Sequence, residues 1–422
     1  MKLKIYLSIL LLTFFLYSSK LHTLFAQENS KGAFFTNKYP NLFVDLLHKS
    51  ELEVKAKIDN AFQQLFYGDD KNQRVYYPVE NDMAYIEDIL HNDVRTEGMS
   101  YGMMIAVQLN KKEEFDRLWK WAKTFMQHKS GQRKDYFAWH CKTNGEIIDS
   151  NSASDGEEWF VTALLLASAR WGDGEGIFNY KSEALKILNA MLTKIDSSDS
   201  RKVVTNMFNK KVKQVVFVPA GEADDFTDPS YHVPHFYELW AIYDNKNRDF
   251  WCDVAKVSRD FLKKAVHPET GLAPDYSKFD GTPFNPWGGG NNNFQYDAWR
   301  VAMNIATDYL WFAKDKWAVE QSNRLLNFFY SKGIKEYPDL YTLDGKPLSN
   351  NRSTGLISMN AVAALASTND NRKEFVEELW NLPVPEGQGR YYDGMLYLLA
   401  LLQVSGNFQI YIPDDLKKNI CK

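Results

Sequence analysis

Three short segments carry carboxylates where carboxylates can do acid–base chemistry. In Arg95-Thr96-Glu97-Gly98-Met99-Ser100-Tyr101-Gly102, Glu97 stands just ahead of an apolar helical stripe that begins at Met99. In Ser152-Ala153-Ser154-Asp155-Gly156-Glu157, Asp155 sits on a turn leading into a helix. In Tyr296-Asp297-Ala298-Trp299-Arg300, Asp297 and Arg300 are three apart and share a helix face. Each has a plain structural explanation. A carboxylate suits a helix start, Ser154 with Glu157 fits a capping box, and Asp297 with Arg300 fits an ion pair. Together they suggest more. An arginine partner favours the ionised form that a general base needs. Glu97 could serve as an acid only if a neighbouring negative charge, from Asp155 or Asp93, offset the effect of the helix end. One protonated and one ionised carboxyl are what glycosidic-bond hydrolysis requires.

The elements around these segments are helical. Apolar residues recur at helical spacing from Glu51 onward, in about a dozen segments separated by loops rich in Gly, Asn, Asp and Pro. A strand pair is expected at Lys202 to Phe208 and Val212 to Val218. No linker divides the chain, so the reading is an all-α fold in one catalytic domain over 51–422, after a loose polar segment at 27–50. The first 26 residues read as a signal peptide. Lys2 and Lys4 precede an apolar run from Ile5 to Tyr17, and Ala26 ends a cleavage-like site. That run is too short to span a bilayer, so an exported protein without a membrane anchor, periplasmic or secreted, is expected.

A net charge of −4 excludes the basic footprint of a nucleic-acid binder. The 27 Phe, 23 Tyr and 12 Trp would fill a core and could also wall a sugar cleft. Cys141, Cys252 and Cys421 allow one disulfide at most. No metal is expected: Cys141 has no Cys or His at metal spacing, and His232 and His235 read as structural.

The three segments, in this order, resemble the motifs of glycoside hydrolase family 8 over about Asn60 to Leu402. The resemblance implies an (α/α)6 barrel, a toroid of six helical hairpins, with inversion at the anomeric carbon and neither cofactor nor metal. It implies Glu97 as proton donor, Asp297 as base, Asp155 holding the sugar, and Tyr231 of Pro229-Ser230-Tyr231-His232 helping to hold the attacking water, with Arg300 in support. The Tyr-Asp-Ala-Trp-Arg segment is most similar to the xylan-active branch, in which Trp139, Tyr391 and Tyr392 would line the cleft. The expected partner is xylan or a xylo-oligosaccharide, handled by a monomer. Two activities occur in that branch: release of xylose from the reducing end of oligosaccharides, and internal cutting of xylan. Tyr337 to Arg352 is the candidate barrier for the first, although Leu348-Ser349-Asn350 stands where a Leu-His-Pro run is expected. A polysaccharide lyase and a non-catalytic sugar-binding protein are the other classes. Few cations stand among the motifs, against a lyase, and a binder need not keep an acid and a base. For an inverting enzyme the Glu97 and Asp297 carboxyls should lie roughly 6.5–9.5 Å apart.

Overall fold

The computed structural model describes residues 31–194 and 204–422; the expected signal peptide lies outside them. The α-helices are α1 (Ala33–Thr36), α2 (Leu42–Leu47), α3 (Glu51–Tyr67), α4 (Thr96–Gln108), α5 (Lys112–Trp121), α6 (Ser154–Trp171), α7 (Tyr180–Leu192), α8 (Pro234–Tyr243), α9 (Arg248–Ala265), α10 (Arg300–Phe312), α11 (Trp317–Ser331), α12 (Thr354–Ala363), α13 (Arg372–Asn381) and α14 (Arg390–Val404).

From α3 onward two kinds alternate. Helix α9 is of the first kind. It buries Trp251, Val254, Ala255, Ser258, Phe261, Leu262 and Ala265, while Asp253, Lys256, Asp260 and Lys263 face water. That three- and four-residue spacing marks a helix with one covered face. Helix α8 is of the second kind, buried along its whole length. A helix covered all round must have neighbours on every side, and the packing supplies them. Helices α4, α6, α8, α10, α12 and α14 pack in a closed ring, each on the next and α14 on α4. Outside it α5, α7, α9, α11 and α13 each pack on the inner helix before them, and α3 packs on α14. This is the (α/α)6 barrel.

The alternation fixes where a site can form. Every inner helix is followed by an outer one that carries the chain back, so the inner helices run parallel and begin at the same end. Their N-termini, each with a partial positive charge, converge there with the loops that precede them.

Residues 33–47 differ from the loose segment expected. They form α1 and α2 because their few apolar side chains find the barrel wall: Phe34 packs on Phe312 at 5.4 Å and Phe43 on Trp380 at 5.1 Å. Of the expected strand pair, Lys202 and Val203 lie outside the described residues; in the described part Phe208–Asn209 runs antiparallel to Gln214–Val215. Cys252 and Cys421 form a disulfide that ties the C-terminal residues to α9, and Cys141 is a buried thiol. Among the described residues no helix is long and apolar enough to cross a membrane.

Candidate active site

The expected site residues gather at the N-terminal end of the inner ring. Glu97 is in the first turn of α4 and Asp155 in that of α6. Tyr231 closes the short turn Pro229–Tyr231 before α8, and Asp297 lies in the 3-10 turn Tyr296–Trp299 that feeds α10. Tyr391 and Tyr392 open α14.

One side chain joins them. Arg300, first residue of α10 and only 3% exposed along its side chain, donates from Nη1 to Glu97 Oε2 at 2.9 Å and to Asp155 Oδ2 at 3.1 Å. From Nη2 it donates to Asp297 Oδ1 at 2.8 Å and to Ser230 Oγ at 3.0 Å. Its Nη1 also donates to the Tyr101 hydroxyl at 2.6 Å. Glu97 and Asp297 thus take different nitrogens of one planar fork, which holds the two carboxyls apart.

Three carboxylates share one cation, so the cluster cannot hold all its charge cheaply out of water. Burial pushes the Glu97 carboxyl up to about 7; Arg300 opposes the shift, and the charges of Asp155 and Asp297 add to it. Burial also raises Asp155, again against Arg300. The negative neighbours of Glu97 are therefore Asp155 and Asp297, with burial the larger cause. Asp93 is not among them: it pairs with Arg95 at 3.1 Å and His140 at 2.7 Å.

Local sequence sets this geometry. Gly98 leaves room for Tyr391: a Cβ there would stand 2.5 Å from the Tyr391 ring. The Tyr391 hydroxyl then reaches Glu97 Oε1 at 2.9 Å. Gly156 does the same between α4 and α6, where a Cβ would meet the Thr96 hydroxyl at 2.3 Å. The capping box expected of Ser154 and Glu157 does not form. Ser154 Oγ donates instead to the Val216 carbonyl at 2.7 Å, and Glu157 Oε1 accepts from the Phe137 N–H at 3.0 Å. Both side chains tie neighbouring loops to α6.

A cleft of about 1090 Å³ opens over the cluster. Glu97, Asp155, Tyr231 and Asp297 are on its floor; Arg95, Trp139, Phe217, Tyr276 and Trp287 are among its walls. Of the aromatic residues expected to line it, Trp139 does so. Tyr391 is 4% exposed and serves Glu97 from behind, while the Tyr392 hydroxyl donates to the Tyr296 carbonyl at 3.0 Å beside Asp297. Residues 337–352 add no side chain to the cleft wall. His232, read as structural, has both ring nitrogens engaged by Ser258 and Thr227.

Some residues of the site escaped the sequence reading. Tyr101 was legible, being four residues after Glu97 on the same helix face. Phe217, Tyr276 and Trp287 come from irregular loops, where no periodicity announces a shared wall. Asp275 was missed for the same reason. It accepts from the Ala298 N–H at 3.2 Å and from Gln295 Nε2 at 2.8 Å, fixing the turn that carries Asp297.

The family model described as glycosyl hydrolases family 8 matches residues 85–406, a span that includes all of these site residues. The chain belongs to glycosyl hydrolase family 8. Within the family it is 45% identical over 385 residues to Rex8A of Paenibacillus barcinonensis, a reducing-end xylose-releasing exo-oligoxylanase, covering 90% of this chain and 99% of that protein. The structure of Rex8A with xylose matches with a TM-score of 0.86 over 91% of this chain and 100% of that one. A family 8 xylanase from Teredinibacter turnerae, solved with xylobiose and, as a catalytic mutant, with xylohexaose, is 49% identical, with a TM-score of 0.87 over 90% of this chain and 100% of that one. Endoglucanase 2 of Ruminiclostridium josui is more distant, 30% identical over 326 residues, 75% of this chain and 64% of that protein.

Proposed function

We propose that this family 8 protein hydrolyses β-1,4-xylosidic bonds in xylo-oligosaccharides with inversion, releasing xylose from the reducing end. The observation that carries the reading is the single buried guanidinium of Arg300, which holds Glu97, Asp155 and Asp297 together on the floor of an aromatic-walled cleft.

Each residue then has a task. Glu97, with its carboxyl raised to about 7, keeps a proton near neutral pH and gives it to the bridging oxygen. Asp297, held by Arg300, takes a proton from water on the opposite face of the sugar. Asp155 accepts from the hydroxyls of the sugar distorted at the cleavage point. Tyr231, on the cleft floor, helps hold the water, and Trp139 offers a flat face to the C–H side of a pentose. Each turnover leaves Glu97 ionised and Asp297 protonated, so the pair is reset when Asp297 releases its proton to water and Glu97, raised by burial and by its acidic neighbours, takes one up.

A second reading, internal cutting of xylan, is favoured by Leu348-Ser349-Asn350 standing where the Leu-His-Pro run of a barrier is expected. Hydrolysis of xylotetraose and its reduced alditol separates the two. Xylose from the unreduced sugar alone supports the exo reading. Cleavage of both, with xylobiose formed and polymeric xylan cut, supports the endo reading. Products whose anomeric form is retained would overturn inversion, and failure to cut either sugar would overturn the substrate.

We also read the protein as exported and monomeric. The Cys252–Cys421 bond supports export, since such bonds persist in oxidising compartments. A mature protein beginning after Ala26 outside the cytoplasm, eluting at monomer size, is the expected finding.

A further inference from the structure

Below the cleft, the buried hydroxyl of Tyr237 in α8 lies 2.6 Å from Glu158 Oε1 and 3.0 Å from the Tyr231 carbonyl, and it accepts from the Val233 N–H at 3.4 Å. Two acceptors therefore compete for one phenolic proton. If Glu158 were ionised, its carboxylate would take that proton and the Tyr231 carbonyl would lose it. Glu158 would also be a fully buried charge whose Oε2 has no hydrogen-bond partner. The groups that act on it most strongly are Tyr237 from α8, by its hydrogen bond, and the charges of Asp155 and Glu157 from its own helix and Asp228 from the turn before Tyr231. None of these is a cation.

A neutral Glu158 removes the conflict. Its own proton goes to Tyr237 Oη, the Tyr237 proton goes to the Tyr231 carbonyl, and each donor is used once. Burial pushes the Glu158 carboxyl well above its ordinary range, in the same direction. The far end of this chain is functional. The Tyr231 ring lies over the Arg300 guanidinium at 5.8 Å, stacks on Phe217 at 5.7 Å and is on the cleft floor.

We propose that Glu158 is a positioning residue for the hydrolysis, acting as a neutral acid that donates to Tyr237 so that Tyr237 can fix the Tyr231 backbone, and with it the ring at the water side of the cleft. The role given to Tyr231 rests on the function proposed above; the proton order does not.

Steady-state kinetics on xylotetraose tests the role. Tyr237→Phe and Glu158→Leu should each lower kcat about tenfold, the scale of one well-placed hydrogen bond, with KM within about twofold. Glu158→Gln, whose amide also donates, should recover most of the kcat lost in Glu158→Leu. A Gln variant as slow as the Leu variant, or an unchanged kcat in Tyr237→Phe, would overturn the proposal. Infrared difference spectra of the wild-type protein against Glu158→Gln at neutral pH test the proton order without any substrate. Loss of a protonated-carboxyl C=O band is expected; loss of carboxylate bands would overturn it. This second arm still decides if Glu158→Leu does not fold or if xylotetraose is not the substrate.

Discussion

Helix α10 carries two buried charge clusters, built on opposite principles. At its first residue, Arg300 is shared by Glu97, Asp155 and Asp297, one cation among three carboxylates. Eight residues on, about 12 Å along the axis at the usual helical rise, Asp308 takes two bonds from Arg259, at 2.8 and 2.7 Å. Arg259 also bonds Glu238 at 2.9 Å, and Lys314 spans both Glu238 oxygens at 2.8 Å while donating to the Cys421 carbonyl. There two cations meet two anions, and the charges of Asp308 and Glu238 hold the Arg259 guanidinium protonated despite its burial. The lower cluster is balanced and ties α8, α9, α10 and the C-terminal residues together. The upper one has surplus negative charge, which adds to the larger effect of burial in keeping a proton on Glu97. Burial is similar in the two; the ratio of signs separates a structural cluster from a reactive one.

The largest expected effects lie in the upper cluster. Glu97→Gln and Asp297→Asn each remove one partner in proton transfer, and kcat on xylotetraose should fall by about 10²–10⁴ with the fold unchanged by circular dichroism. Arg300→Met should lower kcat by roughly 10² or more, because three carboxylates lose the group that places them. The mirror experiment is Arg259→Met. Leaving Glu238 and Asp308 with one cation fewer should cost about 3–5 kcal/mol in urea unfolding and leave the kcat of the remaining folded protein within about twofold. A loss of activity as large as that of Arg300→Met would break the comparison. Next in size, Cys252→Ser should lower stability by about 2–4 kcal/mol and leave the pH–rate profile in place, as reductant should for the wild-type protein.

How far the sequence reaches can be judged from the same residues. The helices were legible because apolar residues recur at helical spacing; their closure into an (α/α)6 barrel came only from the resemblance of the three segments to family 8, since spacing along one helix does not say which helix it packs on. Glu97, Asp155, Asp297 and Arg300 were legible because each sits on a helix-leading turn in a recognisable segment. That Arg300 serves all three carboxylates was not, since Glu97 lies 203 positions away in the chain and only ring closure brings the two together. The cause assigned to the acidity of Glu97 was incomplete for the same reason, as burial belongs to the assembled end of the ring. The balanced cluster went unremarked, because Glu238, Arg259, Asp308 and Lys314 share no motif. Tyr391 was expected in the cleft wall. It lies behind Glu97 because Gly98 lets its ring come close, a contact between α4 and α14 that no local pattern encodes.

That contact gives the smallest and most specific prediction. Glu97 must be protonated to act, so the rate should fall as pH rises through about 7, the value to which burial pushes its carboxyl. The Tyr391 hydroxyl donates to Glu97 Oε1, and a donor favours the ionised form. In the wild-type protein it therefore draws the alkaline limb downward. Tyr391→Phe removes the donor and keeps the ring, so the Glu97 carboxyl should rise further and the alkaline limb of kcat/KM should move to higher pH, by less than about one unit. Gly98→Ala should move it the same way, because a Cβ at 2.5 Å must push the Tyr391 ring aside. A limb that moves downward in either variant would mean that the hydroxyl supports the protonated acid instead, and that the acidity of Glu97 depends on one neighbour rather than on the surplus charge of the cluster.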